Sequence, residues 1–480
     1  MKKTANNRGQ ILIEVIVFSS IAIFFIGGMA GWAVLNLRNA RLILGRELAV
    51  QIAEAGIDYY RWHLAHAPQD YQDGTGQPGP YAHDFLDKDG NVIGQFVLDI
   101  TAPVFGSTLV SIESTGKTNA DSDISRSILG NLAKPSLAKY ATVAESAMRF
   151  GVGTEIYGPV HSNNGIRFDG LAHNIISSSA STYNDPDHSG DDEFGVHTHV
   201  SPIDPLPPPL DLPSRPDIFE AGRQISVPAV DFSGITADLS DMKSQAQDSG
   251  FYRPGSGFLA YHVLLKTDDS FDLFRVTSYE AAPSDCVNSQ GQDGWGTWSI
   301  QEEQLIGNYP FPDNGLIFLE DDVFVNGQVS SARLTIAAAV FPDSPSTRKN
   351  IIINHDLLYT NYDGQDVVGL IAQNNINIGM NSEDDLRIDA ALVAQNGRVG
   401  RYYYTPPDLS SDYCSPYHQR QTITLWGMIA TNQRYGFAYT DDTGYVTRNI
   451  NYDGNLLYAP PPSFPLTSDQ YEILSWEEIE

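Results

Sequence analysis

Residues 8–37 read RGQILIEVIVFSSIAIFFIGGMAGWAVLNL, and this stretch decides how the rest of the chain is held. From Ile11 to Leu37 the one ionisable side chain is Glu14. Roughly 27 residues at about 1.5 Å per residue make a helix of roughly 40 Å, enough to cross a hydrocarbon layer with some tilt. A carboxylate inside such a segment costs on the order of 2.5–3.5 kcal/mol, less near its end. A plain anchor gains nothing from that cost. Ahead of it, residues 1–9 read MKKTANNRG, short, polar and basic through Lys2, Lys3 and Arg8. A secretory signal has a shorter apolar region ending in a small-x-small site. Gly28-Met29-Ala30 offers a loose version, so conventional cleavage and a simple signal anchor are the competing readings.

A basic leader ending in Gly9, followed by an apolar helix with Glu14 at its fifth position, resembles the class III leader of type IV prepilins. The resemblance implies cleavage by a prepilin peptidase between Gly9 and Gln10, and methylation of the new amine. It also implies that Glu14 neutralises the N-terminal amine of a neighbouring subunit in the filament, since a buried charge is tolerated when paired. Gln10 departs from the pattern, where Phe or Met is more usual.

The helical pattern continues past Leu37. Leu42, Leu44, Leu48, Ile52, Ala53, Ala55, Gly56 and Tyr59 keep an apolar stripe, while Arg38, Arg41, Arg46, Glu47, Glu54, Asp58 and Arg61 mark polar faces. Pro68 and the following DGTGQPGP stop it, which sets a helix over 10–67 whose second half packs on a soluble domain. The segment QIAEAGIDYYRWHLA is similar to the second half of the helix in minor pilins of the PilX kind.

Residues 68–145 read as a small pilin-like β region: GNVIGQFVLDITAP, TLVSIESTGKT and SRSILGNLAK alternate apolar and polar and are split by turn residues. Within it, Asp87-Lys88-Asp89-Gly90-Asn91 resembles a calcium loop but lacks the later ligands and the closing Glu, so it reads as a turn. From 146 to 480 the grammar changes. TEIYGPVHSNNGIRFDG, VVGLIAQNNINIG, LRIDAALVAQNGRVG and TITLWGMIATN are short β-rich runs broken by Asn-Gly, Asp-Gly or Asn-Asn. Irregular repetition at about 18–25 residues predicts a right-handed parallel β-helix-like solenoid, with a β-sandwich as the alternative. The fold class is therefore α+β. A Pro-rich insertion at about 180–313, containing SPIDPLPPPLDLPSRP, is expected to lie as a flap, with a short helix near 236–247. The ending TSDQYEILSWEEIE is expected to cap the last rung. GPVHSNNGIRFDG, GLIAQNNINI and YDGNLLYAPPPSFP also look like larger pilin-like proteins that carry a solenoid.

The 480 residues hold 29 Lys+Arg against 59 Asp+Glu, a net charge of -30, which argues against nucleic acid as a partner. Two cysteines, Cys286 and Cys414, exclude a disulfide framework; whether they pair is open at this level. For catalysis on a β-helix the candidates are Glu320, Asp321, Asp322, Glu383, Asp384, Asp385 and Asp389, and solvated surface acidity accounts for them more simply. His197 and His199 form a His-x-His pair that can hold a metal, near His188, Asp185, Asp187, Asp191, Asp192 and Glu193, but no third fixed ligand is legible. His161 reads as a turn histidine.

These readings commit to a minor type IV pilin-like subunit rather than an enzyme. No catalytic residue and no cofactor are assigned, with calcium left open. Expected partners are the prepilin peptidase, other pilin subunits, the inner membrane before assembly, and a surface or polysaccharide ligand. The expected location is a single-pass membrane protein that moves into an extracellular filament, at or near its tip. A filament-anchored β-helix enzyme acting on polysaccharide and a large pseudopilin of type II secretion are the alternatives. The latter usually lacks a Glu at the fifth position.

Overall fold

The structure, a computed structural model, describes residues 8–103, 107–187, 190–207, 211–407 and 413–479. It divides into two compact units, one from residues up to 102 with 110–132 and 473 onward, the other from 103–109 and 133–472.

In the first unit α1 runs unbroken over Arg8–His66, 59 residues. No proline interrupts it before Pro68, and its glycines lie within runs of good helix formers. Its two halves differ. Residues 11–41 are all exposed, with a mean hydropathy of 2.4 over the most apolar 18-residue window. Farther on, Ala49, Ile52, Ala53, Ile57, Tyr60 and Leu64 are buried, and their spacing of three and four puts them on one stripe. That stripe packs on a sheet made of β1 (Tyr81–Leu86), β2 (Val92–Thr101), β3 (Val110–Thr118) and β4 (Asp121–Ala133), paired antiparallel in chain order. Phe96, Leu98, Val110, Ile112, Ile128 and Leu132 complete the core.

A fifth strand, Glu472–Ile479, lies beside β4. The ending expected to cap a rung therefore completes the small sheet instead. Arg126 Nε pairs with Glu478 at 2.9 Å, and Asn131 Nδ2 donates to Ser475 Oγ at 3.2 Å. The physical reason is edge cover: without this strand β4 would present a row of unpaired backbone groups.

The second unit is β-rich, and its long ladders are parallel, unlike the antiparallel pairing that a sandwich requires. One file of paired residues runs Tyr252, Phe318, Ala337, Ile371, Val393, Ala430, Val143, His161, Ser177, Gln224, one from each of ten successive strands. A second parallel ladder joins Ala260–Leu265, Val323–Val329, Ile351–Ile352, Ile376–Ile378 and Val399–Arg401. A third joins Leu357–Tyr359, Asp385–Ala394, Gln419–Thr431 and Gly444–Tyr452. Inward-facing Val, Ile and Leu from all three form one core, including Val263, Ile317, Ile336, Leu370, Leu392 and Ile429.

The first ladder is covered on its other face as well. Helix α2 (Ile235–Asp248), close to the helix expected at 236–247, lays Ile235, Leu239, Met242 and Ala246 against Phe318, Ala337, Ile371 and Val393, with Leu456 and Phe464 beside them. Burial on both faces explains why VVGLIA at 367–372 is apolar throughout rather than alternating. At the turns, Asp322 Oδ1 accepts from Asn350 Nδ2 at 3.0 Å, Asn350 Oδ1 accepts from Asn375 Nδ2 at 3.3 Å, and Asn375 Oδ1 accepts from Arg398 N at 2.9 Å. These bonds form a polar ladder between successive turns.

The order of strands in the first ladder is not the order of the chain. Thr142–Ala144 pairs with Gln419–Thr431, so the chain enters the stack mid-way and builds outward to Arg223–Gln224. It then restarts at the far end with Phe251–Arg253 and returns. The segment expected as a flap over 180–313 thus supplies both ends of the ladder, plus an antiparallel addition through Ser270–Tyr279 and Ile300–Pro310. Cys286 and Cys414 form a disulfide, 128 residues apart in sequence, among Met380, Tyr402 and Tyr404.

Candidate assembly helix and buried histidine–carboxylate cluster

Gly9 and Gln10 lie in the first turn of α1; residues 1–7 of the expected leader are outside the described residues. Glu14 is exposed on the helix, roughly 6 Å along the axis from Gln10 by helical rise. Around it Ile11, Leu12, Ile13, Val15, Ile16, Val17 and Phe18 are each about half exposed or more, so the carboxylate stands alone on an apolar rod. Among the described residues nothing covers that half of the helix, and an apolar surface of this size needs lipid or other protein chains.

The second candidate lies in the body. The strand Thr182–Tyr183 pairs antiparallel with Glu193–Phe194, and Val196–His197 pairs parallel with Ile166–Phe168. This short hairpin brings Asp185 and Glu193 to the two sides of its base and sets His197 and His199 just beyond. One ligand atom from each of Asp185, Glu193, His197 and His199 lies within 4.8 Å of all the others. His197 Nε2 is 2.9 Å from Glu193 Oε2 and 3.7 Å from Asp185 Oδ2, and His199 Nε2 is 2.6 Å from Glu193 Oε1. The side chains of Asp185, Glu193 and His197 are 3%, 7% and 2% exposed, and His199 keeps 13%. His197 Nδ1 lies 3.3 Å from the Phe194 carbonyl, and Arg167 Nη1 lies 3.7 Å from Asp185 Oδ2. Arg167 Nε already donates to Asp169 Oδ2 at 2.7 Å, and Asp169 Oδ1 accepts from His199 N at 2.8 Å. Burial pushes His197 below the ordinary histidine range, and burial beside Asp185 and Glu193 pushes Tyr183 up.

The sequence singled out His197 and His199 but could not supply a third ligand, because Asp185 and Glu193 become fixed only when the hairpin forms. Glu193 and His197 at a spacing of four were the one legible hint. His188 lies outside the described residues. The acidic residues weighed for catalysis, apart from Asp385, are occupied in structure. Glu320 accepts from Tyr252 Oη at 2.8 Å, Asp321 from Ser256 N at 2.9 Å and Lys349 Nζ at 3.1 Å. Buried Asp389 accepts from Tyr359 N at 3.0 Å and Arg387 Nε at 2.9 Å. Asp384 pairs with Arg420, Glu383 with His355, and Asp385 is exposed at a strand start. His161 is a buried strand residue rather than a turn residue, 3.0 Å from Ser177 Oγ and 3.1 Å from Asn163 Oδ1. A cleft of about 910 Å³ that gathers Arg149, Arg398, Arg434 and Arg448 on this acidic chain was not legible in the sequence.

No family model matches the chain, and no curated protein matches it in sequence. Among solved structures, the competence-associated pilin ComZ from Thermus thermophilus is similar at 11% identity over 91% of this chain and 98% of that one, with a TM-score of 0.31, too low to establish a common fold.

Proposed function

We propose that the chain is a type IV pilin-like subunit, held by α1 first in the membrane and then in a filament. The observation that carries this reading is the division of α1: residues 11–41 all exposed, apolar as far as Leu37 around a lone Glu14, then a half buried under its own sheet. A soluble protein has no use for the first half, and a simple anchor has no use for the carboxylate. In this reading a prepilin peptidase cuts between Gly9 and Gln10, and Glu14 pairs with the amine of an adjacent subunit. The disulfide between Cys286 and Cys414 fits a body displayed in an oxidising space. The parallel ladders support reading that body as a right-handed β-solenoid. Its bulk favours a place at or near the filament tip, where it primes assembly or meets a surface ligand.

The test has two arms. Mass spectrometry of the native protein should find a mature chain starting at Gln10; a retained Met1 or a start at Gly31 rejects the prepilin assignment. Glu14→Ala should be processed normally yet drop at least tenfold in sheared filament fractions. Incorporation equal to the unaltered chain would refute the pairing role.

A further inference from the structure

We propose that Asp185, Glu193, His197 and His199 form a binding site for one divalent transition ion of the zinc class. The donors come first. Two imidazole nitrogens with two carboxylates suit zinc and its borderline neighbours, whereas calcium and magnesium take all-oxygen shells. A tetrahedral shell with bonds of about 2.0–2.2 Å sets its ligand atoms roughly 3.4 Å apart. The four atoms lie within 4.8 Å of one another, so side-chain adjustment of about an ångström closes the shell.

The electrostatics point the same way. With the His197 Nδ1 proton donated to the Phe194 carbonyl, the lone pair on Nε2 faces Glu193 Oε2 and Asp185 Oδ2. A lone pair and two carboxylate oxygens converging in a buried space repel unless a cation lies between them. Asp185 Oδ2 is buried and has no hydrogen-bond partner among the described residues. Among the described residues, Asp169, Asp185 and Glu193 bring three carboxylates to the buried group and Arg167 brings a guanidinium, a setting that favours a bound cation.

Topology makes the site a clasp. Asp185 and Glu193 flank the loop 186–192, and His197 sits on the strand paired with Arg167. One ion would tie both arms of the hairpin to the neighbouring strand. His199 borders a cleft of about 420 Å³ shared with Arg167 and Asp169, which gives an ion a way in.

The full-length chain in detergent is stripped with chelator and dialysed, then loaded separately with zinc, calcium or magnesium, and bound metal is measured by plasma mass spectrometry. The expected result is one zinc retained per chain, no retained calcium or magnesium, and loss of the zinc in Glu193→Gln and in His199→Asn. His173→Asn, a histidine outside the cluster, keeps it. Circular dichroism of each stripped variant separates lost binding from lost folding. Loading the unaltered chain with cobalt(II) gives a readout free of any variant, the visible absorption of a tetrahedral centre. Failure of the unaltered chain to retain zinc, or equal retention by Glu193→Gln and His199→Asn, overturns the proposal. Neither result bears on cleavage at Gly9 or on the role of Glu14.

Discussion

Gly116 sits on β3 directly under α1, where an added Cβ would stand 2.1 Å from the Ala49 carbonyl oxygen and 2.6 Å from Ala53 N. Both are backbone atoms and cannot swing aside, so the helix would have to lift from the sheet. Gly116→Ala is expected to destabilise the first unit by about 2–3 kcal/mol, read as a lower unfolding midpoint in scanning calorimetry of the detergent-held chain. Nothing in STGKT announces that need, because close approach is a property of two segments more than 60 residues apart. Glu14 stands at the other extreme of legibility. Its oddity shows in local composition, since a charge in an apolar run is anomalous whatever the fold, while the pairing role is what the prepilin resemblance implies. His197 and His199 fall between: the pair was visible, and the carboxylates that complete it were not.

At the scale of elements, α2 shows how a short helix can carry its own pH response. Burial, with the charges of Asp241 and Asp231 adding to it, pushes Asp238 up to about 6 from an ordinary 3.8. The folded chain therefore keeps this proton to higher pH than the unfolded chain does. Stability contributed by the group falls as pH rises from about 4 to about 6, and the full cost is present above that. Asp238→Asn should raise the thermal midpoint of the body at about pH 8 and leave it nearly unchanged at about pH 4. A gain of equal size at both values would assign the effect to packing instead. Helix α2 was legible because its four buried residues recur at helical spacing between Gly234 and Gly250. The ladder strands were legible as β-rich runs. Their partners were not, since pairing in a parallel stack is set by which faces can be buried and not by neighbours in sequence.

For the whole molecule, the sequence showed a long helix, a small sheet and a repetitive body, but not how the chain threads them. The stack is entered mid-way at Thr142–Ala144, and the strands that meet there lie almost 290 residues apart. No periodicity records such a junction. The disulfide crosses the later part of the body, where Cys286 and Cys414 close a loop of 128 residues. Replacing both cysteines by serine is expected to cost about 3–5 kcal/mol, measured as a lower denaturant midpoint of the body transition, with reductant reproducing the shift in the unaltered chain. The body itself, 133–472, is inserted between β4 and the strand Glu472–Ile479 that pairs with it. That arrangement acts as a clock. The sheet begun before the body is made can be closed only after the body has emerged, so β4 waits with an open edge while some 340 residues pass. A chain that ends before this last strand leaves the β4 edge open, where the full chain covers it.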